Sequence, residues 1–409
     1  MYMKILYIHQ YFKTPQEGGA IRSYYLGKGL VENGFEVEMI TTHNEKSYRK
    51  VKIDGITVHY LPIPYNNAMG AIRRTRSFMA FVRKARKVIK DVKGIDQAYV
   101  TSTPLTVGLI GMWMKKKLGI PYIFEVRDLW PTAPIEIGVI KGALIKKWLF
   151  RLEARIYENA EKIVALSPGM RDWIKQVVPD KDVYMIPNMA DCQFFTKEIK
   201  DPKLVEFYHV DEPFVITYFG SIGAANHLEF FLEIAEKSLE NRLNINFKIV
   251  GDGGRLSNIK LSAYLKKLSN VEFIRHQNKG GVKDILNISD ATYVCFADLP
   301  VLATNSPNKL FDSLASGKLT IVNTPGWTKD LVEKYSCGFY ANPNKPEEFL
   351  ELIKPFLDNR SLLDTYKSNA REIAERHYSK KLQIQKLVSV INNEKQIRVS
   401  DSEVYILTA

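Results

Sequence analysis

Residues 306–317 carry a dense set of groups suited to holding a diphosphate. Ser306 and Pro307 are the residue types of a helix N-cap and a first helical position, so a helix is predicted to begin there. The free amides of its first turn, with Asn308 and Lys309, would offer positive charge and N–H donors to an anion. Asp312 lies one to two turns in, where a carboxylate can accept hydrogen bonds from a ribose diol. The same residues would also serve an ordinary capped surface helix, and chemistry alone does not separate the two.

Three glycine-bearing turns sit after strand-like stretches. Gly18 and Gly19 lie in residues 16–20, Gly220 and Ser221 in 219–223, and Gly251 and Asp252 in 250–254. A glycine after a strand lets the backbone approach a ligand closely, and open α/β sheets bind at that edge. None of the three is the six-residue dinucleotide fingerprint, so NAD has no specific support. His9 and His43 follow strand ends in the first half and are placed to line the same edge.

Metal and disulfide chemistry find little footing. The seven histidines show no ligand spacing, and Asp180-Lys181-Asp182, which fits an Asp-x-Asp pattern, reads as a polar turn before a strand. No metal or other cofactor is expected. Cys192, Cys295 and Cys337 are widely spaced and odd in number, which suits a reducing cytoplasm.

The elements that must position these groups alternate. In the first half, strand patterns at 4–9, 36–41, 98–101, 122–126, 163–166 and 183–186 are joined by helical ones, beginning with 21–33. A polar, irregular stretch near 190–210 reads as a linker. A second series follows, with strands at 214–219, 246–250, 271–274, 291–296 and 319–322 and helices at 361–377 and 380–392. Alternation of this kind predicts α/β architecture: two Rossmann-like, doubly wound parallel-sheet domains facing across a cleft. The length of 409 residues exceeds what one core usually serves. The expected divisions are 1–195, 196–375 and a C-terminal 376–409, whose helix crosses back to the first domain before a loosely docked tail.

The net charge of +13 sits wholly in the first half: residues 1–190 carry 30 Lys+Arg against 17 Asp+Glu, while the rest balances at 28 of each. Three amphipathic clusters hold much of it. Residues 68–93 include Arg73, Arg74, Arg76, Arg83 and Lys84; Trp113 adjoins Lys115; and residues 139–155 include Lys146 and Trp148. Basic residues mixed with apolar ones suit an interfacial helix on anionic lipid, although any single such helix can equally be a solvated face over a core. No nucleic-acid-binding motif accompanies the charge, so nucleic acid is not expected as a partner. The uncharged run 98–114 is short of about 20 apolar residues and contains Pro104, so a membrane span is not predicted.

Four stretches, in order along nearly the whole chain, carry a family resemblance: 8–22; Phe124-Glu125-Val126-Arg127-Asp128-Leu129-Trp130-Pro131; 163–170 with Ile186-Pro187-Asn188 and Phe194-Phe195; and 249–253 through 306–317. Together they resemble the retaining, two-domain GT-B enzymes of glycosyltransferase family 4. Within that family the chain looks closest to the branch that builds bacterial O-antigen and capsule sugars, N-acetylaminosugar transferases included. The resemblance implies a nucleotide-sugar donor, UDP by default, bound in the second domain, with the base read near 274–276 and Arg275. It implies a polyprenyl-diphosphate-linked saccharide acceptor and a protein held peripherally on the inner face of the cell membrane. The family's terminal motif has two glutamates eight positions apart; Asp312 stands at the second and Thr304 at the first. Many members also carry Arg and Lys after the second domain's first strand, where residues 220–227 have neither. Lys309 and the amides of 306–309 are the expected substitutes. Arg127-Asp128 stands where many members have His-Asp, giving Arg127 a phosphate or acceptor and Asp128 a hydroxyl to orient. Two other functions stay open at this point: a sugar-nucleotide 2-epimerase of the same architecture, and an inactive scaffold that binds sugar nucleotide or lipid.

Overall fold

A computed structural model describes residues 3–17, 21–66, 69–210, 213–394, 396–398 and 404–406. The chain divides into two compact units, residues 1–187 with 381–409, and residues 188–380. Sequence placed the divisions near 195 and 375. They fall at 187/188 and 380/381 because Ala190 is stitched to the far end of its own unit. Its N–H donates to the Tyr378 carbonyl at 2.7 Å, and its carbonyl accepts from the Lys380 N–H at 3.1 Å.

The first unit holds strands β1 (Lys4–Ile8), β2 (Glu36–His43), β3 (Arg49–Ile53), β4 (Ile56–Pro62), β5 (Gln97–Thr101), β6 (Tyr122–Val126), β7 (Lys162–Ala165) and β8 (Val183–Met185). Its helices are α1 (Arg22–Glu32), α2 (Ala71–Asp91), α3 (Gly108–Leu118), α4 (Thr132–Glu136), α5 (Ala143–Asn159) and α6 (Pro168–Val177). The sheet runs β3-β4-β2-β1-β5-β6-β7-β8, parallel except for β3. Strand order moves one way through α1 and the other way through α3, so right-handed crossovers place these helices on opposite faces. α3 packs beside both α2 and α5, making one helical layer of the three basic clusters.

The β3–β4 hairpin is absent from the sequence reading. Its signal was Asp54-Gly55, whose φ angles of 46° and 88° make a turn that matches strand twist.

A buried ion pair ties this sheet together. Glu125 on β6 accepts from Arg22 Nη2 at 2.9 Å, Arg22 Nε at 3.1 Å and the Tyr99 hydroxyl at 2.6 Å. Arg22 also donates to the carbonyls of Pro187 at 2.6 Å and Ile186 at 2.9 Å, pinning the chain beyond β8. Burial works against the Arg22 charge, and its surroundings, the Glu125 carboxylate foremost with Tyr99 and Tyr7, more than restore it.

The second unit holds α7 (Pro202–Phe207), β9 (Phe214–Ser221), α8 (Glu229–Glu240), β10 (Ile245–Asp252), α9 (Leu256–Leu265), β11 (Val271–Ile274), α10 (Lys279–Ile288), β12 (Ala291–Val294), α11 (Asn308–Ala315), β13 (Leu319–Val322), α12 (Trp327–Lys334), β14 (Gly338–Tyr340), α13 (Glu348–Asp358) and α14 (Arg360–His377). Its six strands, in the order β11-β10-β9-β12-β13-β14, are all parallel. Buried Phe231, Phe247 and Tyr293 fill one face, and Phe219, Val250, Leu310 and Phe311 the other. Asp290, fully buried before β12, accepts the Val215 N–H and pairs with Lys367 at 3.0 Å and with Lys200. These lysines hold its carboxyl below the ordinary value against the opposing effect of burial.

The chain then returns to the first unit through α15 (Lys380–Ile391), where Ile384 lies so close to Gly29 of α1 that a Cβ there would sit 2.5 Å from it. Beyond it, where a loose tail was expected, β15 (Gln396–Arg398) and β16 (Val404–Ile406) form an antiparallel pair. No helix among the described residues is long and apolar enough to cross a membrane.

Candidate functional site

In the second unit, β9 and β10 end side by side, with Gly220 paired to Gly251 and Ser221 to Asp252. A Cβ on Gly251 would meet the Gly220 carbonyl oxygen at 1.9 Å, and Gly251 has φ +151°, so only glycine fits. Gly220, Ser221 and Asp252 are exposed at this edge. Asp252 turns back to accept the Gly253 N–H at 2.7 Å.

Lys309 reaches this edge from α11. Its ammonium would lie 3.4 Å from a Cβ on Gly220, 4.1 Å from the centre of the Tyr218 ring, and donates to the Tyr218 hydroxyl at 2.9 Å. Tyr218 in turn donates to the Ser221 carbonyl at 2.5 Å, which fixes the strand end beneath the lysine. Burial pushes the Lys309 ammonium down to about 8. A cation held beside exposed backbone with no carboxylate partner suits an incoming anion.

The helix itself departs from expectation. It begins at Asn308, with Pro307 at the cap position and no side-chain cap. Ser306 does not cap it, because its side-chain oxygen accepts the Asn188 N–H at 3.3 Å instead. The Asn188 amide completes the clamp by donating to the Ser306 carbonyl at 2.5 Å. The Asn308 and Lys309 amides are thereby left at an uncapped N-terminus, open to a ligand. Asn188→Ala is expected to lower the second unit's stability by ~1–3 kcal/mol and loosen nucleotide binding, read by urea unfolding and calorimetry.

Asp312 is half-buried on the next turn. Burial pushes its carboxyl up to about 7, with Lys279 pulling it back and Asp191 adding to the rise. Lys279 is itself bound to Asp191, which also pairs with Lys380 at 2.6 Å. Thr304 turns its hydroxyl onto the Val301 carbonyl at 2.7 Å. Arg275 is exposed just beyond β11. Gly220, Ser221, Gly251, Asp252 and Lys309 are therefore gathered at one sheet edge. Tyr218 and Asn188 are members whose part only the fold reveals.

In the first unit, Gly18 and Gly19 lie outside the described residues. Arg127 and Asp128 follow β6, and the Arg127 guanidinium contacts His9 Nε2 at 3.1 Å. Its backbone N–H donates to the Ser102 hydroxyl at 3.0 Å. Burial, reinforced by Arg127, pushes His9 well below its ordinary value, so the ring is neutral. His9 Nδ1 and both amide atoms of Gln10 are buried without a hydrogen-bond partner, which leaves polar atoms ready for a ligand. Burial raises the Asp128 carboxyl against the pull of Arg127. Rings of Tyr11, Tyr65, Phe78 and Trp130 run in succession at 4.5, 6.3 and 6.4 Å between centroids.

The basic residues are sorted by their surroundings. Arg73, Arg76 and Arg83 are exposed on α2, and Arg74 is half-buried. Lys84 donates to the Pro62 carbonyl at 2.8 Å and Lys115 to the Asn159 carbonyl at 2.7 Å, so part of each is structural. Trp113 lies under the Arg86 guanidinium at 5.6 Å. Lys146 is half-buried, whereas Trp148 is 56% exposed beside Leu144 at 85%. Among the described residues no group of three or more His, Cys, Asp or Glu could hold a metal ion.

Known proteins resemble this chain in sequence and in fold. Residues 17–189 match a glycosyl transferase 4-like domain and residues 200–373 match glycosyl transferases group 1. WcaI of Escherichia coli K12, described provisionally as a colanic acid biosynthesis glycosyl transferase, is 24% identical over 69% of this chain and 70% of its own. Sucrose-phosphate synthase of Thermosynechococcus elongatus superposes with a TM-score of 0.79 at 15% identity, covering 96% of this chain and 98% of that one. HepE of Anabaena, in complex with UDP-glucose, superposes with a TM-score of 0.71 at 15% identity, covering 96% and 100%. With two parallel-sheet α/β units and two glycosyl transferase domains in this order, the chain belongs to the GT-B-fold glycosyltransferases of the group 4 and group 1 type.

Proposed function

We propose that this transferase moves a sugar, with retention, from a nucleoside diphosphate donor to a polyprenyl-diphosphate-linked saccharide in bacterial surface polysaccharide synthesis. The observation that carries the donor half is Lys309, whose ammonium rests against Gly220 beside the uncapped start of α11. A diphosphate set there meets backbone amides and one cation in a poorly hydrated place, where each interaction counts for more than in water. UDP is the favoured nucleotide, in keeping with the UDP-glucose that HepE binds on the same fold. Arg275 and the backbone after β11 would read the base.

Leaving-group charge is the main thing such a reaction must stabilise. The departing diphosphate oxygen can itself help deprotonate an incoming hydroxyl on the same face, so no protein nucleophile is required. Lys309 and the α11 amides supply the neutralising charge, and the reaction proceeds without a metal. The first unit takes the acceptor, with Asp128 orienting a hydroxyl, Arg127 and the open atoms of His9 and Gln10 binding polar groups, and the Tyr11–Trp130 rings stacking on sugar. Asp312 accepts the ribose hydroxyls. Asp312→Ala is expected to weaken UDP binding by ~1.5–3 kcal/mol, measured by calorimetry, and unchanged affinity would remove the residue from the site.

The basic layer of α2, α3 and α5 supports a seat for the enzyme on the anionic inner face of the cell membrane, a reading in keeping with WcaI's described role. Incubation with UDP-sugars and a synthetic polyprenyl-diphosphate sugar, with EDTA present, tests the whole proposal. Glycosylated lipid is the expected product. Epimerised donor alone would indicate an isomerase, and binding without turnover a scaffold.

A further inference from the structure

An open cleft of about 290 Å³ lies along α2, with Trp113 of α3 at its side. Arg83, Arg86, Lys87 and Lys90 line it with Met79 and Trp113, and no carboxylate does. Four cations crowded without a counter-ion repel one another, an arrangement that an anion relieves. Arg86 is the anchored member: its Nη2 donates to the Leu109 carbonyl at 2.9 Å, its guanidinium carbon lies 5.6 Å from the centre of the Trp113 ring, and its Nε is buried without a hydrogen-bond partner. Arg83, Lys87 and Lys90 are exposed around it. The anion would therefore enter between an anchored guanidinium and three exposed cations.

Its surroundings say what carries the anion. Met79 on the rim is 48% exposed, Ile72 on the same helix 71%, and Leu118 at the end of α3 40%. α5, packed beside α3, adds Leu144, Ile145 and Trp148, all more than half exposed. Apolar side chains at these positions gain nothing from a free ion in water but insert among acyl chains. We propose that the α2–α3 cleft is a binding site for the phosphate headgroup of an anionic membrane lipid, with the flanking apolar residues entering the bilayer around it. This rests on the membrane reading given above and narrows it from general attraction to one receptor cleft.

The test pairs two charge-matched variants. Arg83→Glu/Lys87→Glu alters the cleft; Lys46→Glu/Lys52→Glu makes the same change at exposed positions elsewhere in the first unit. Each is measured for binding to phosphatidylcholine vesicles with and without phosphatidylglycerol, after thermal unfolding shows that both fold. The cleft variant should lose at least tenfold in affinity for the anionic vesicles, and the control less than threefold. Equal losses would reduce the cleft to part of a diffuse charge and overturn the site. Inorganic phosphate supplies the second arm, read by tryptophan fluorescence with Trp113→Phe as reference. Saturable binding of free phosphate in the millimolar range or tighter, with vesicle binding unaffected, would make the ligand a soluble phosphate and overturn the lipid assignment. Vesicle binding is read without turnover, so the result stands whether or not lipid is glycosylated.

Discussion

Glu125→Ala should destabilise the first unit by ~3–5 kcal/mol, because it leaves the Arg22 guanidinium buried and unpaired. Arg22 and Glu125 have side-chain exposures of 1% and 0%, so water cannot replace the lost partner. The Tyr99 hydroxyl would lose its acceptor at the same stroke. Removing both charges is a different matter: Arg22→Met/Glu125→Leu should recover much of the loss, since desolvation of two ions is also avoided. The carbonyls of Ile186 and Pro187 would then lack their donor, so recovery should stop short of wild type. Urea unfolding of the three proteins, followed through the first unit's transition, measures each cost. A single variant within 1 kcal/mol of wild type would show that the pair is solvated in solution.

The second large effect concerns Lys309. Lys309→Met should weaken UDP binding by ~2–5 kcal/mol, about 30-fold to several thousand-fold, the range for removing one partner of a desolvated charge pair. The same change should raise the stability of the empty protein. A lysine whose folded value is lowered from 10.5 to about 8 is a charge the native state disfavours. That penalty is fully present below pH 8 and vanishes as both states lose the proton above 10.5. The variant should therefore be more stable than wild type at pH 7 and equal to it near pH 11. Asp312 gives the opposite limb, its carboxyl at about 7 ionising as pH rises. Nucleotide affinity should then peak between pH 7 and 8, rising as Asp312 gains charge and falling as Lys309 loses it. Bound diphosphate will draw the lysine limb upward, so the fall appears earlier in binding to free enzyme than in the complex. A flat profile from pH 6 to 9 would mean that neither group touches the nucleotide.

How much of this was legible in the sequence depends on the kind of interaction. The parallel strands were readable because continuous apolar runs such as 163–166 leave little alternative. The β3–β4 hairpin was missed because Arg49–Ile53 is half-exposed and lysine-rich, and its one local signal is the Asp54-Gly55 turn. Residues 306–317 announced a helix start, yet the predicted Ser306 cap is wrong. A residue 118 positions away, Asn188, takes that hydroxyl, and no local rule contains so distant a competitor. Lys309 could be nominated as a cation, but its seat against Gly220 depends on where β9 ends and how Tyr218 is anchored. The same holds for His9: its neutrality comes from burial and from Arg127, which follows a strand two places away in the sheet. Thr304 remains as the sequence showed it. No carboxylate stands there, and its hydroxyl serves its own turn, so recognition of the donor sugar must come from elsewhere.

If the start of α11 and Lys309 hold a diphosphate, calorimetric titration with UDP and with uridine will reveal it. Wild type is predicted to bind UDP at least a hundredfold more tightly than uridine, with the margin collapsing in Lys309→Met. Equal affinity of wild type for UDP and uridine would contradict the account.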